Sequence, residues 1–165
     1  MFDINKFSNQ YSVRFLKEND IDLVIDLCKG NPLFYEHTIA RPTKENLLED
    51  MRLTPPGIDL KDKYYVGYFD NETLVALLDL IDGWPSKDIA YIGFFMMNSS
   101  HQGKNIGSSI INDLSIYLKS INVKYIRLAV DNGNPQSSHF WNKNGFKLVK
   151  TVNSDGVKHV LEKTL

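Results

Sequence analysis

Met97-Asn98-Ser99-Ser100-His101-Gln102-Gly103-Lys104-Asn105-Ile106-Gly107-Ser108 is the stretch that decides how the rest of the chain is read. Residues 90–97, which lead into it, are almost wholly apolar or aromatic. The segment after it places Ile106, Ile110, Ile111, Leu114 and Leu118 at helical spacing. A buried strand therefore feeds a short glycine-bearing turn, and the turn opens a helix. The first turn of a helix leaves backbone N–H groups unpaired and slightly positive. Glycine lets such backbone approach a ligand closely. The combination makes a seat for a phosphate or pyrophosphate. A dinucleotide fold of the G-x-G-x-x-G type is excluded by spacing. A P-loop is excluded because no Gly-Lys-Ser/Thr ends the turn.

The chain has 165 residues, 42% of them hydrophobic, which fits one packed domain spanning 1–165. A net charge of −1 gives no basic footprint for nucleic acid, so no such partner is expected. The single cysteine, Cys28, rules out an intrachain disulfide and favours a reducing, cytoplasmic setting. Among Leu23, Val24 and Leu27 it reads as a small core residue. No apolar run approaches the ~20 residues that span a bilayer, so no membrane partner is expected. The N-terminus, Met1-Phe2-Asp3-Ile4-Asn5-Lys6, lacks the pattern of a signal peptide. Four histidines and one cysteine are too scattered to hold zinc, and no metal is expected.

Residues 11–16 read as a strand. Asn19 or Asp20 can cap a helix that runs to Leu27 and stops at Gly30. A second helix begins after Arg41-Pro42-Thr43, with Leu47, Leu48 and Met51 on one face, and Thr54-Pro55-Pro56-Gly57 ends it. Residues 63–69, 73–81 and 90–97 then form an antiparallel meander, with the last strand central. After the helix from Ile106, a strand spans 123–130. Another helix runs from Asn134-Pro135 to a left-handed stop at Asn144-Gly145, and residues 146–152 and 157–161 close the chain as a hairpin. The whole reads as an α/β (α+β) domain, a mixed sheet with about four helices.

Two separated motifs resemble the GNAT superfamily of acyl-CoA-dependent N-acetyltransferases. In the first, Met97 holds the apolar position, Gln102 the Gln/Arg position and Gly107 the last small one. Gly103 is the extra glycine, and Asn105 replaces the middle one. Asparagine tolerates positive φ better than other residues with a side chain, although that side chain crowds the pyrophosphate side. The second reads Asn134-Pro135-Gln136-Ser137-Ser138-His139-Phe140-Trp141, then Asn144-Gly145-Phe146, with Ser137 for alanine and Trp141 for tyrosine. The resemblance implies a mostly antiparallel twisted sheet, with a V-shaped splay between the central strand and the next, parallel strand. Acetyl-CoA is the implied cosubstrate. Backbone of Phe95, Met96 and Met97 would hold its pantetheine arm. N–H groups of Gln102, Gly103, Lys104, Asn105, Ile106, Gly107 and Ser108 would hold its pyrophosphate. Asn134 would reach the arm, Phe140 would line the thioester pocket, and Trp141 would stand beside the sulfur. The implied activity is acetyl transfer to a primary amine of a small molecule or peptide.

That chemistry needs a base for the amine, donors for the developing oxyanion and, optionally, an acid for the thiolate. The Met97 N–H is the candidate oxyanion donor by resemblance, and one such donor is typically worth ~3 kcal/mol. Trp141 carries only an indole N–H, which gives up no proton near neutral pH. The central strand has no glutamate. The nearest carboxylates are Asp79 and Asp82, and Asp79 lies within Leu77-Leu78-Asp79-Leu80-Ile81. A carboxylate so flanked either faces a cleft or has a task, so Asp79 is a candidate base or substrate ligand. In Phe34-Tyr35-Glu36-His37, His37 is a second candidate base and Glu36 a candidate ligand for a cationic amine. His101 and His159 read as exposed, and His139 as helix surface. Aromatic Phe34, Tyr35, Tyr64, Tyr65 and Trp84 either line a pocket or pack. A CoA-binding protein without catalysis and an interaction scaffold remain the other two readings, and a homodimer is an ordinary arrangement for such a domain.

Overall fold

A computed structural model describes residues 1–36, 41–153 and 156–165. Its strands are β1 (Ser12–Phe15), β2 (Lys63–Asp70), β3 (Thr73–Asp82), β4 (Ile89–Met97), β5 (Tyr125–Asp131), β6 (Lys147–Asn153) and β7 (Val157–Thr164). Its α-helices are α1 (Ile21–Lys29), α2 (Pro32–Tyr35), α3 (Lys44–Asp50), α4 (Ile106–Ser120) and α5 (Pro135–Lys143). The strands form one sheet in the order β1-β2-β3-β4-β5-β7-β6. Every neighbouring pair is antiparallel except β4–β5. The mixed, mostly antiparallel sheet read from the sequence is the observed one.

Period-two alternation divides β3 between two cores. Ala76, Leu78 and Leu80 face Ile110, Ile111, Leu114 and Leu118 of α4, while Leu77, and Leu74 beyond a bulge at Val75, face Val24, Leu27 and Leu47 of α1 and α3. Asp79 alternates onto this second face. Its neighbours there are Tyr65, directly opposite on β2, and Lys63, two residues back on the same face.

Two irregularities of β4 shape the site. Asp79 pairs with Phe94 and Leu80 with Ile92, so Gly93 is the extra residue of a β-bulge. On its other edge β4 pairs with β5 only from Ile89↔Tyr125 to Ile92↔Leu128. Beyond that point the two strands part, and β5 stays in the sheet through β7 as far as Asp131↔Lys158. This is the expected splay.

Local differences from the sequence reading have physical causes. Asp20 gives α1 no side-chain cap, and a 3-10 turn, Glu18–Asp20, precedes that helix. The Asp20 carboxylate is occupied by the Arg14 guanidinium at 2.8 and 2.9 Å and by the Lys17 N–H at 2.8 Å. Gly30 ends α1 in right-handed geometry, φ −68°, whereas Gly145 after α5 takes the expected left-handed one, φ 87°. His159 is half-buried rather than exposed, its ring held between Thr151 and Asn132 at 3.0 and 3.1 Å.

Candidate active site

The alternation of hydrogen bonds along β3 and β4 determines which backbone groups of β4 are free. Asn98 N–H donates to Val75 C=O at 2.8 Å. In an antiparallel ladder the bonded pairs then recur every second residue, at Leu77–Met96 and Asp79–Phe94. Phe95 and Met97 fall between them, so their N–H and C=O point to the opposite edge, where β5 has left. Met96 was expected to offer backbone groups as well; the register turns those toward Leu77 instead. The Met97 carbonyl accepts from Asn31 Nδ2 at 3.0 Å. Its N–H has no partner among the described residues.

The splay opens a cleft of about 750 Å³. Every residue expected at the cofactor lies on its wall, from Phe95, Met96 and Met97 through the Gln102–Ser108 turn to Asn134, Phe140 and Trp141. In the turn, Gly103 (φ 72°) and Asn105 (φ 65°) are both left-handed. Asn105 precedes α4 without bonding its side chain to it. The first intrahelical bond is Ser109 N–H to Asn105 C=O at 3.0 Å. The N–H groups of Ile106, Gly107 and Ser108 therefore stay open toward an anion. Gly107 is buried, and a Cβ there would lie 3.2 Å from Phe140 Cε2 and 3.4 Å from Met97 Sδ.

The far wall comes from α5. Asn134 accepts from Ser137 N–H at 3.0 Å and so caps the helix, leaving its amide NH₂ for the cleft. Phe140 stacks on Phe95 at 5.8 Å between ring centroids, and Trp141 is wedged edge-on against Phe140 and Phe146, both at 4.9 Å.

Asn31 and Phe34 also line this cleft, as do Lys143, His101 and His139. Asn31, which precedes Pro32, was not among the expected site residues. Its Nδ2 donates to Leu27 C=O and Met97 C=O, and its Oδ1 accepts from Gln102 Nε2 at 2.5 Å. The Asn-Pro pair was the one signal available, and it announces a turn rather than a clamp. His101 is half-buried, and His139, though exposed, faces the cleft mouth.

A second cavity of about 560 Å³ lies against the β4 bulge, on the face of α1 and α3. Asp79 sits in its wall with Lys63, Gly93 and Phe94. Lys63 Nζ donates to Asp79 Oδ2 at 2.7 Å, and both residues are buried. Asp79 Oδ1 is buried without a partner among the described residues. Burial pushes the Asp79 carboxyl above its usual range, and the attraction of Lys63 offsets this only in part. Tyr65 and Trp84 line this cavity, Phe34 lines the first, and Tyr35 and Tyr64 pack in the core. His37 lies outside the described residues. Among the described residues no cluster of His, Cys, Asp or Glu could hold a metal ion, and no helix is long and apolar enough to cross a membrane.

A strand splayed from its parallel neighbour, with a left-handed turn and an uncapped helix start at its end, is the arrangement the two motifs imply. A sequence model described as the acetyltransferase (GNAT) family matches residues 31–146. The chain belongs to that family. No curated protein sequence matches this acetyltransferase. Among solved structures, an acetyltransferase from Thermus thermophilus superposes with a TM-score of 0.78 at 19% identity, covering 94% of this chain and 97% of that one. The PaiA N-acetyltransferase of Thermoplasma acidophilum, solved in complex with coenzyme A, gives 0.67 at 20% identity over 93% of this chain and 98% of that one. A spermidine N-acetyltransferase SpeG chimera involving Vibrio cholerae gives 0.69 at 19% over 94% and 96%. At these identities the likeness is one of fold. This acetyltransferase is thus an enzyme by family, with a bulged and splayed β4 that separates its two cavities.

Proposed function

We propose that the protein transfers an acetyl group from acetyl-CoA to the primary amine of a small molecule, by direct attack. The observation that carries this is the open edge of β4. Phe95 and Met97 present N–H groups, unpaired among the described residues, to a cleft whose far end is an anion seat. The chain's own residues fit an elongated phosphorylated thioester. The N–H groups of Ile106, Gly107 and Ser108 receive the pyrophosphate, with Lys104, Lys143 and His101 at the rim. Gly107 leaves room for a chain to pass where any Cβ would crowd Phe140. The edge of β4 and the Asn134 amide hold the pantetheine arm.

When bound, acetyl-CoA supplies the acetyl thioester. The Met97 N–H donates to the carbonyl oxygen as charge grows there. Asp79, whose carboxyl is raised by burial, is the residue assigned to take the proton that the amine must lose. The new bond joins the amine nitrogen to the acetyl carbon. The bond that breaks is the one to sulfur, and the proton taken from nitrogen ends on the released thiol. Trp141 fills space beside the thioester and transfers no proton.

Calorimetric titration with acetyl-CoA and free CoA tests the reading, followed by thiol release with primary amines. Micromolar binding and amine-dependent thiol release are the expected results. Binding without release would make the protein a CoA-binding relative of these enzymes, and no binding would leave the scaffold reading.

A further inference from the structure

The second cavity has a floor and walls of distinct chemistry. Its floor is the Asp79 carboxylate. Oδ2 is held by Lys63, and Oδ1 is buried with no hydrogen-bond partner among the described residues. An acceptor atom buried and unpaired is costly, and that cost is relieved by a ligand that brings a donor to it. Gly93 leaves the Lys63-bound oxygen uncrowded, since a Cβ at that bulge position would come within 2.8 Å of Oδ2. The walls are aromatic. Tyr65, Trp84, Tyr91 and Phe94 border the space, and Trp84 stands edge-on to Tyr91 at 4.5 Å. Pro55 and Pro56 border it as well. The cavity and the cofactor cleft lie either side of β4: Phe94 lines one, Phe95 the other, and the Phe34 ring on the cleft meets Phe94 edge-on at 5.4 Å.

We infer that this cavity is the acceptor site and that it selects a small primary monoamine with an aromatic or alkyl body. The inference rests on the N-acetyltransferase reading for its reaction, but not for its binding. The amine donates to Asp79 Oδ1, and the body lies among the four rings, which favour both apolar surface and a nearby cation. A polyamine does not fit this lining. The Lys63 charge repels its further ammonium groups, and among the described residues Asp50 is the one other carboxylate on the wall to pair with them. A peptide N-terminus does not fit either, because its amide groups would lose water against rings and prolines without gaining partners.

Binding can be read without acetyl-CoA. In a Trp141→Phe background Trp84 is the only tryptophan left, and its fluorescence reports on the cavity. Titration with 2-phenylethylamine is expected to change that fluorescence saturably, whereas spermidine and an alanyl peptide are not. A second protein, Lys63→Met/Asp79→Leu, replaces the buried pair without stranding either charge and so preserves the core. It is expected to lose the response by at least tenfold in affinity. An equal response in the double variant, or a stronger response to spermidine or peptide, overturns the assignment. Thiol release with the same three amines gives the catalytic counterpart. Acetyl-CoA binding with no preference for 2-phenylethylamine sinks the acceptor assignment alone. Loss of acetyl-CoA binding sinks the enzyme reading and leaves the fluorescence result to decide the cavity.

Discussion

The side-chain oxygen of Asn105 accepts a hydrogen bond from the Lys143 ammonium at 2.8 Å. Asn105 replaces a glycine of the family motif, and its side chain was expected to crowd the pyrophosphate. Instead it reaches the end of α5 and ties the turn to the opposite wall of the cleft. Its backbone keeps the left-handed geometry a glycine would take. Asn105→Gly should therefore leave acetyl-CoA affinity within a few-fold, whereas Asn105→Val should strain the turn by about 1–2 kcal/mol and weaken binding. Urea unfolding with calorimetry on both variants checks this. A Val variant as stable and as tight as the parent would mean that the turn does not need its left-handed residue.

Gly107 is a sharper test of the same wall. One added methyl would meet Phe140 and Met97 at 3.2–3.4 Å, which side chains can absorb by small shifts. Gly107→Ala should bind acetyl-CoA with a modest loss. Gly107→Leu should fill the passage and lose more than tenfold in affinity, about 1.4 kcal/mol or more. Equal affinity in the Leu variant would remove the turn from the binding site.

Much of this architecture was legible in the chain because it is written locally. The apolar strand, the turn and the amphipathic helix from Ile106 each carry a short-range period, and Asn134 reads as a cap. The splay itself follows from where β4–β5 pairing stops, at Ile92 and Leu128, and no local pattern marks that point. Asn31 was missed for a related reason. Its partners Met97 and Gln102 are distant in sequence, and the clamp exists only once α1 has packed on the sheet. The sequence marked Asp79 as anomalous through its apolar flanks, but not its pairing with Lys63, which depends on register.

Asn31→Ala should be costly for its size. It removes the donors to two carbonyls and the acceptor for Gln102. A lost buried hydrogen bond with an unpaired partner costs about 1–3 kcal/mol. A lower unfolding midpoint is expected, together with a raised KM for acetyl-CoA, because the Met97 carbonyl and the turn lose their common anchor. A raised KM without any loss of stability would show that Asn31 serves the ligand alone.

Asp79 gives two opposite pH trends. Its folded carboxyl holds a proton to higher pH than the unfolded one, chiefly through burial. The native state therefore binds more protons in the window above the ordinary carboxyl value, and Asp79's contribution to stability falls as pH rises through that window. Activity runs the other way, since a base must be ionised: kcat/KM should fall as pH drops through the same folded pKa. The acid limb should lie above the usual aspartate range of about 4, well apart from the ionisation of the amine itself. Thermal melts and initial rates across pH check both trends. Lys63→Met/Asp79→Leu should flatten the first and abolish the second, and an acid limb that survives in that variant would assign the base elsewhere.

Trp141 occupies the place of the family's tyrosine, and the substitution has a chemical consequence. An indole N–H cannot protonate a departing thiolate, and the ring is held among Phe95, Phe140 and Phe146. Thiolate is a competent leaving group, so the acid is dispensable. Trp141→Phe should then lower stability by about 1–3 kcal/mol through lost packing while leaving kcat within a few-fold. Trp141→Tyr should restore a phenol beside the sulfur and add a basic limb to the pH–kcat profile as that phenol ionises. A fall of more than tenfold in kcat for Trp141→Phe, with the fold intact by circular dichroism, would show instead that the indole N–H stabilises charge on sulfur as the bond breaks.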